Sequence, residues 1–133
     1  MDIDSNLLNA LIQVESSNNP QAFNPNSKAR GLTQITPIAW EDLVMHYPQV
    51  YGNLNYEQDV FKPEIAKRAG TDYLNVIQKY LKAYNIPTTL DNVLAAYNWG
   101  VGNLKKLGME KAPKETRDYI QKIKTLMEMK QND

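Results

Sequence analysis

Apolar residues recur every three or four positions along most of this chain, and that spacing restricts it to a fold built from helices. No run shows the strict alternation typical of a strand. The pattern predicts helices over about residues 5–16, after Pro37, from near Pro63 to about residue 84, after Thr89 or Asp91, over 101–107, and from Pro113. We therefore expect an all-α fold.

Between the first two predicted helices lies the segment SNNPQAFNPNSKARG, residues 17–31. It holds two prolines and four asparagines, residue types that break helices and favour turns. The segment predicts one long ordered loop. With 133 residues in all, we expect a single compact domain with enough length for one core.

Composition excludes several classes of protein. The chain has no cysteine, which excludes a disulfide framework and thiolate chemistry. No stretch reaches the roughly 18 apolar residues that a membrane span needs. The start, MDIDSNLLNALIQVES, lacks the basic residues and the unbroken apolar run of a signal peptide, so none is expected in this chain.

Charge is balanced overall but unevenly distributed. Residues 1–60 carry seven acidic and two basic groups, residues 61–100 three and five, and residues 101–133 five and eight. The basic tail suits an anionic polymer, although a solvated helix face explains it equally simply. Because aromatic residues do not alternate with these cations, no nucleic-acid partner is expected.

Glu15 is the most informative single residue. It lies three positions after Ile12 and four after Leu11, so it projects from the apolar face of the first predicted helix. Partial burial there would disfavour the charged carboxylate and raise the pKa of Glu15. A raised pKa is what a general acid working near neutral pH requires. The alternative is a solvated, structural glutamate at a helix end.

Four motifs occur in a recognisable order: VESSNNP at 14–20, GLTQITP at 31–37, LAAYNWGVG at 94–102 and APKETRDYI at 112–120. Together they resemble the lytic transglycosylases with a lysozyme-like soluble-transglycosylase (SLT) domain, relatives of goose-type lysozyme. The stretch KPEIAKRAGTDYLNVIQKY, 62–80, is similar to the central helix of that family. The resemblance implies one lysozyme-like domain over residues 1–133, with its core at about 5–124 and one long active-site loop.

The resemblance also implies a reaction. Such enzymes cleave the β-1,4 bond between N-acetylmuramic acid and N-acetylglucosamine in peptidoglycan, and the muramic 6-hydroxyl closes a 1,6-anhydro ring. Glu15 would be the sole catalytic acid and base, with the substrate's acetamido group shielding the anomeric carbon. No cofactor is implied.

The distribution of carboxylates allows an independent check. A glycosidase that uses two protein carboxylates needs them about 5–10 Å apart, yet residues 16–40 contain no Asp or Glu. Glu57, Asp59 and Glu64 stay open as second carboxylates, since the fold could return them to the cleft. The pattern favours a transglycosylase over a goose-type hydrolase. A catalytically idle glycan-binding or assembly module is a third interpretation.

Supporting residues near the predicted acid have functional and structural interpretations. Ser16 would cap or orient Glu15, or is an ordinary helix-end serine. Gly31 would let the backbone approach the ligand, and the Gln34 amide would bind sugar groups; alternatively, the two belong to a plain turn. The family usually has Met where this chain has Thr33, which puts one apolar sugar contact in doubt.

Further candidates lie in the other motifs. By the resemblance, Tyr97 orients the carboxyl group of Glu15, and Asn98 binds an acetamido group or shapes the cleft. A core tyrosine is the alternative for Tyr97. Glu115 is a cleft residue by its match to the family's Glu-Thr pair, or it complements the dipole at a helix start. Asn24 and Phe23 would contact sugar, unless Phe23 is a packed loop anchor.

Remaining candidates are Trp40 and Trp99, which would stack on sugars but at helical spacing are more often core residues. His46 is the one histidine, without clustered ligands, so no metal site is expected. The expected partner is the peptidoglycan glycan strand, and the expected state a monomer. Such a protein would act at the bacterial cell wall, in the periplasm or outside the cell, with delivery by a phage or a secretion system among the open routes.

Overall fold

The computed structural model describes residues 1–132, with side chains through residue 129, and the regular secondary structure of this part of the chain is helical. Its elements are α1 (Ser5–Ser16), α2 (Pro37–His46), α3 (Pro48–Tyr51), α4 (Tyr56–Asp59), α5 (Pro63–Ala83), α6 (Leu90–Trp99), α7 (Val101–Leu107), a 3₁₀ turn (Met109–Lys111) and α8 (Lys114–Asn132). The described residues form no strand, only isolated bridges that join Phe23 to Arg30 and Arg30 to Ile35. The all-α prediction is confirmed. None of these helices is both long and apolar enough to cross a membrane.

Side-chain caps fix where the helices begin. Asp4 Oδ1 accepts a hydrogen bond from Leu7 N at 2.9 Å, so Asp4 rather than Ser5 caps α1. Thr89 Oγ1 accepts from Asn92 N at 3.2 Å and is the N-cap of α6. Both caps satisfy backbone N–H groups that have no partner within the helix.

Two elements, α3 and α4, were not predicted from the sequence pattern. Each contains four residues, too few for an apolar period to repeat. Local chemistry forms them instead: Pro48 occupies the first turn of α3, and Asn55 Oδ1 accepts from Gln58 N at the start of α4. Such signals lie in single residues rather than in a period.

The chain divides into two compact units. The first contains Met1–Ala10 and the chain from Ile77 onward, and the second contains Leu11–Val76. The division falls within α1 and within α5, so each of these helices contributes residues to both units. The single domain expected over residues 1–133 stays a prediction.

An aromatic cluster occupies the core of the Leu11–Val76 unit. Trp40 packs edge-on against Tyr51, with ring centroids 5.2 Å apart, and lies 5.3 Å from Tyr56. The buried Tyr51 hydroxyl donates to Asp72 Oδ2 at 2.7 Å, and burial raises the pKa of Tyr51 above its ordinary value. Trp40 is therefore a core residue, since its exposed fraction is 6%.

The other unit is built on α6 and α8, with buried apolar side chains from each. Lys124 of α8 pairs with Asp91 of α6 at 3.0 Å on its surface, and Asn6 Nδ2 donates to the Met127 carbonyl at 3.4 Å. Its most deeply buried apolar side chains include Leu7, Ile77, Leu81, Val93, Leu94, Ala95 and Ile123.

Thr33 connects the long loop to α5. Its side chain is fully buried, and Oγ1 donates to the Ala66 carbonyl at 2.7 Å. A Cβ atom placed on Gly70, one turn further along α5, would lie 2.6 Å from Thr33 Cγ2. Thr33 therefore packs against α5 at Gly70, where any larger residue would collide with the threonine side chain.

This packing predicts that Gly70→Ala destabilises the protein. Alanine in a helix gains about 1 kcal/mol over glycine, but overpacking costs about 1–3 kcal/mol, so we expect a net loss of unfolding free energy. Gly102→Ala is the matched control, since a Cβ there meets nothing within 4 Å and should stabilise. Denaturant unfolding measures both. Thr33→Ser, which removes Cγ2, should recover part of the loss; no recovery would place the strain elsewhere.

Candidate active site

Glu15 lies in the last turn of α1 and is half-buried, whereas Leu11 and Ile12, one turn earlier, are buried and the nearby Gln13 and Asn18 are exposed. The helical pattern predicts this position. A carboxyl group at such a boundary is partly withdrawn from water yet reachable by a ligand, which is the placement an acid catalyst needs.

Ser16, beside the predicted acid, is buried with 9% of its surface exposed. Its hydroxyl donates to the Ile12 carbonyl one turn earlier in α1, at 3.0 Å. The proton of Ser16 is therefore used within the helix. Any direct help that Ser16 gives to Glu15 would have to come from its oxygen as an acceptor.

Asn24 organises a tight turn in the long loop. Its Oδ1 accepts from Asn26 N at 2.9 Å and from Ser27 N at 3.4 Å, and its backbone bonds to Ala29 and Lys28 close the turn. This is the Asx-turn arrangement that favours asparagine in loops. The side-chain oxygen of Asn24 thus already has donors within the loop, and the predicted sugar contact stays untested.

Gly31 is held where no other residue fits. Its N–H donates to the Ala22 carbonyl at 2.9 Å, its φ is +80°, and a Cβ would lie 2.5 Å from the Val60 carbonyl oxygen. The close approach seen here is to the chain's own backbone, and the predicted approach to a ligand stays a prediction. Gly31 therefore fixes the path of the backbone at the start of the GLTQITP motif.

Gln34 adopts left-handed backbone, with φ +53°, and its side chain closes the loop. Nε2 donates to the Ala22 carbonyl at 3.2 Å and to the Gly31 carbonyl at 3.0 Å. Both amide protons are thus used inside the loop. What Gln34 can offer a ligand is its side-chain oxygen, an acceptor for a sugar hydroxyl or amide.

In the unit that contains α6 and α8, one predicted residue, Asn98, has a defined partner. Thr116 Oγ1 donates to Asn98 Oδ1 at 2.9 Å, which fixes the plane of the Asn98 amide and leaves its two N–H donors for another group. Tyr97 is half-buried on α6, whereas Glu115 is exposed in the first turn of α8.

Thr116 is the functional candidate that sequence reasoning passed over in favour of Glu115. It is 1% exposed and lies three and four positions before the buried Tyr119 and Ile120. That spacing puts Thr116 on the inner face of α8 and Glu115 on its edge. The sequence does contain a signal for Thr116, which is a hydroxyl on the apolar face of a helix. Such a hydroxyl is buried and therefore needs a hydrogen-bond partner.

The structure also shows the surroundings of the aromatic candidates Phe23 and Trp99. Phe23 is 46% exposed, so it is not a packed loop anchor. Trp99 is half-buried, and its carbonyl accepts from Asn103 Nδ2 at 2.7 Å. Among the described residues, no group of three or more metal-binding side chains could hold an ion.

The fold has a solved counterpart. An inactive mutant of lytic transglycosylase Slt from Pseudomonas aeruginosa superposes with a TM-score of 0.75 over 94% of this chain and 21% of that one, at 20% sequence identity. At this identity the likeness concerns the fold alone. It confirms the predicted lysozyme-like class of α-helical fold.

Sequence comparison gives the family. The model of the transglycosylase SLT domain matches residues 1–120, so this chain belongs to the SLT-domain family. It is 33% identical over 109 residues to membrane-bound lytic murein transglycosylase E of Buchnera aphidicola, covering 79% of this chain and 50% of that protein. Over 107 residues it is 33% identical to membrane-bound lytic murein transglycosylase C of Pectobacterium atrosepticum, covering 79% and 29%. The chain thus spans half or less of these relatives.

The loop closure made by Gln34 predicts a pH-dependent defect for Gln34→Glu. A carboxylate facing the Ala22 and Gly31 carbonyls replaces two donors with an acceptor, which should cost about 2–3 kcal/mol at neutral pH. The introduced carboxyl group should have a raised pKa in the folded state. Stability should therefore be greatest below its unfolded pKa of about 4.3 and fall as pH rises through the folded value.

Thermal unfolding from acid to neutral pH measures this effect, with Gln21→Glu as the control because Gln21 is exposed in the same loop. The control should follow the wild-type profile. Equal profiles for the two variants would mean that the Gln34 amide does not hold the loop closed in solution.

Proposed function

We propose that this chain is a peptidoglycan lytic transglycosylase that uses Glu15 as its one acid and base. The observation that carries the proposal is the SLT-domain match over residues 1–120 together with a half-buried Glu15 at the start of a loop that has no carboxylate. The relatives are named as lytic murein transglycosylases. The solved counterpart is an inactive mutant in which glutamine replaces one glutamate.

In the proposed reaction, Glu15 gives its proton to the glycosidic oxygen as the bond from the muramic anomeric carbon breaks. The resulting carboxylate then accepts the proton of the muramic 6-hydroxyl, whose oxygen bonds to that carbon and closes the 1,6-anhydro ring. Glu15 ends protonated, as it began. The half-buried position of Glu15 suits a group that donates a proton in the first step and accepts one in the second.

The alternative is hydrolysis, which needs a carboxylate that activates water. The three candidates left open by the sequence offer little for this role. Asp59 pairs with Lys62 at 2.9 Å and accepts from Asn55 N at 2.7 Å, while Glu57 and Glu64 are exposed. These contacts favour transglycosylation over hydrolysis.

The site of action would be the bacterial cell wall, since murein is named in both relatives. Delivery by a phage or a secretion system stays among the proposed routes. No cofactor enters the proposed reaction, because the nucleophile and the shielding acetamido group both belong to the sugar.

Glu15→Gln should reduce the release of soluble fragments from purified sacculi by a factor of about 10²–10⁴, the usual contribution of a general acid or base. Glu41→Gln is the matched control, because Glu41 is an exposed carboxylate of the same unit. Wild-type products should be lighter by one water than hydrolysis products and should lack reducible ends, as measured by mass spectrometry.

Each competing function has its own outcome. Reducible ends would identify a hydrolase, and sacculus binding without any release would identify a glycan-binding module. Near-normal release by Glu15→Gln would overturn the assignment of the acid.

Thr116→Val should weaken substrate binding through Asn98. The change keeps the shape of the side chain but removes the donor to Asn98 Oδ1, so the Asn98 amide would no longer be held in one plane. We expect KM to rise about threefold to tenfold, the equivalent of about 1 kcal/mol, with a smaller change in kcat. Steady-state kinetics on soluble glycan strands measures the split.

Thr125→Val is the control, since Thr125 makes an exposed side-chain hydrogen bond on the same helix. Adding Thr116→Val to Asn98→Ala should cause little further loss, because both changes remove one interaction. Full additivity of the two losses would show that Thr116 acts independently of Asn98.

A further inference from the structure

An exposed aromatic ring and two cations lie together on the long loop. The Phe23 ring, 46% exposed, has the Arg30 guanidinium carbon 5.2 Å and the Lys28 ammonium 6.0 Å from its centroid. We call the surface formed by Phe23, Lys28 and Arg30 the cationic ledge. It belongs to the same compact unit as Glu15, eight or more residues further along the chain.

Tyr56 helps to hold the cationic ledge in place. The Arg30 guanidinium carbon also lies 4.9 Å from the centroid of the Tyr56 ring, so Arg30 is in contact with two rings. The Tyr56 hydroxyl donates to the Ile35 carbonyl at 2.6 Å, and burial raises the pKa of Tyr56 above its ordinary value. Because the rings restrict Arg30 before any ligand arrives, binding costs less side-chain entropy.

No ion pair neutralises the cations of the ledge among the side chains that the structure describes. Lys28 and Arg30 are the only charged residues between Glu15 and Glu41, and no carboxylate among the described side chains forms an ion pair with either. Elsewhere the Leu11–Val76 unit is acidic, with seven Asp and Glu against three other Lys and Arg. A localised positive surface on an otherwise acidic unit attracts anions to one place.

We propose that the cationic ledge binds carboxylates of the peptide stems that peptidoglycan strands carry. The inference rests on the proposed function and assigns a substrate feature to that site. N-acetylglucosamine is neutral, and the carboxyl group of muramic acid is consumed by the peptide link, so the strand's anionic groups are mainly those of its peptides. Arg30 and Lys28 would pair with these carboxylates, and the Phe23 ring would cover adjacent CH groups.

A purely structural role is the competing explanation. If the stack of Phe23, Arg30 and Tyr56 only fastens the loop, then breaking it should weaken the binding of every substrate by the same factor. A ligand-binding role instead predicts a loss confined to substrates with charged peptides. The two explanations are separated by comparing peptide-bearing strands with stripped strands, whose peptides have been removed by an amidase and whose freed muramic carboxyl groups have then been converted to neutral amides.

The experiment measures binding of both kinds of soluble strand to Glu15→Gln protein, and turnover of both by protein with Glu15 intact. Lys28→Asn removes one of the two cations of the ledge at a position with φ +66°, where asparagine is well tolerated. Arg30→Gln removes the second cation. Lys67→Gln is the matched control, an exposed lysine of the same unit.

Glu15→Gln protein with an intact ledge should bind peptide-bearing strands more tightly than stripped strands. Lys28→Asn and Arg30→Gln should each weaken binding of peptide-bearing strands about threefold to fivefold, the scale of an exposed ion pair, and leave binding of stripped strands unchanged. Added salt should reduce the preference. Lys67→Gln should match its parent protein.

Equal affinity for both strands, or equal losses on both in the ledge variants, would overturn the proposal. The proposed function fails separately: it is contradicted if protein with Glu15 intact yields no anhydro products from either strand. The binding comparison still decides the ledge in that case, because it does not depend on turnover.

Discussion

The carbonyl group of Ala22 is the point on which the site loop depends. It accepts from Gly31 N at 2.9 Å and from Gln34 Nε2 at 3.2 Å, so two motif residues meet on one atom of the preceding segment. Both residues have positive φ, a conformation that costs energy for glutamine. The two hydrogen bonds offset that cost and close residues 22–34 into a defined surface.

Once closed, the loop needs a support. Thr33, between the two motif residues, donates to the Ala66 carbonyl and packs over Gly70, while Gly31 rests against the Val60 carbonyl. The motif GLTQ thus has two roles: Gly31 and Gln34 close the loop, and Thr33 attaches it to α5. Within this unit, Glu15 at the end of α1 directly precedes a loop that is fixed by its own hydrogen bonds and by its contacts with α5 and Val60.

The charged residues in and just before the long loop are also divided by sign. The charged residues of the long loop are both cations, and Glu15 just before it is the only carboxylate between Asp4 and Glu41. A single acid suffices for a reaction in which the sugar supplies its own nucleophile, and the absence of other acids in the loop leaves Lys28 and Arg30 for an anionic ligand. The proposed chemistry and the proposed peptide recognition therefore rest on one compositional feature.

Helical period and motif order, both carried by neighbouring residues, were sufficient to predict the all-α fold, the main helices, the half-buried position of Glu15 and the SLT family. Tertiary structure decided the rest. The hydrogen bond of Thr116 to Asn98 joins residues 18 positions apart, and the packing of Thr33 on α5 joins residues more than 30 apart. The contact of Arg30 with Phe23 and Tyr56 joins the long loop to α4. Such contacts depend on how the chain returns on itself, which a local period does not encode.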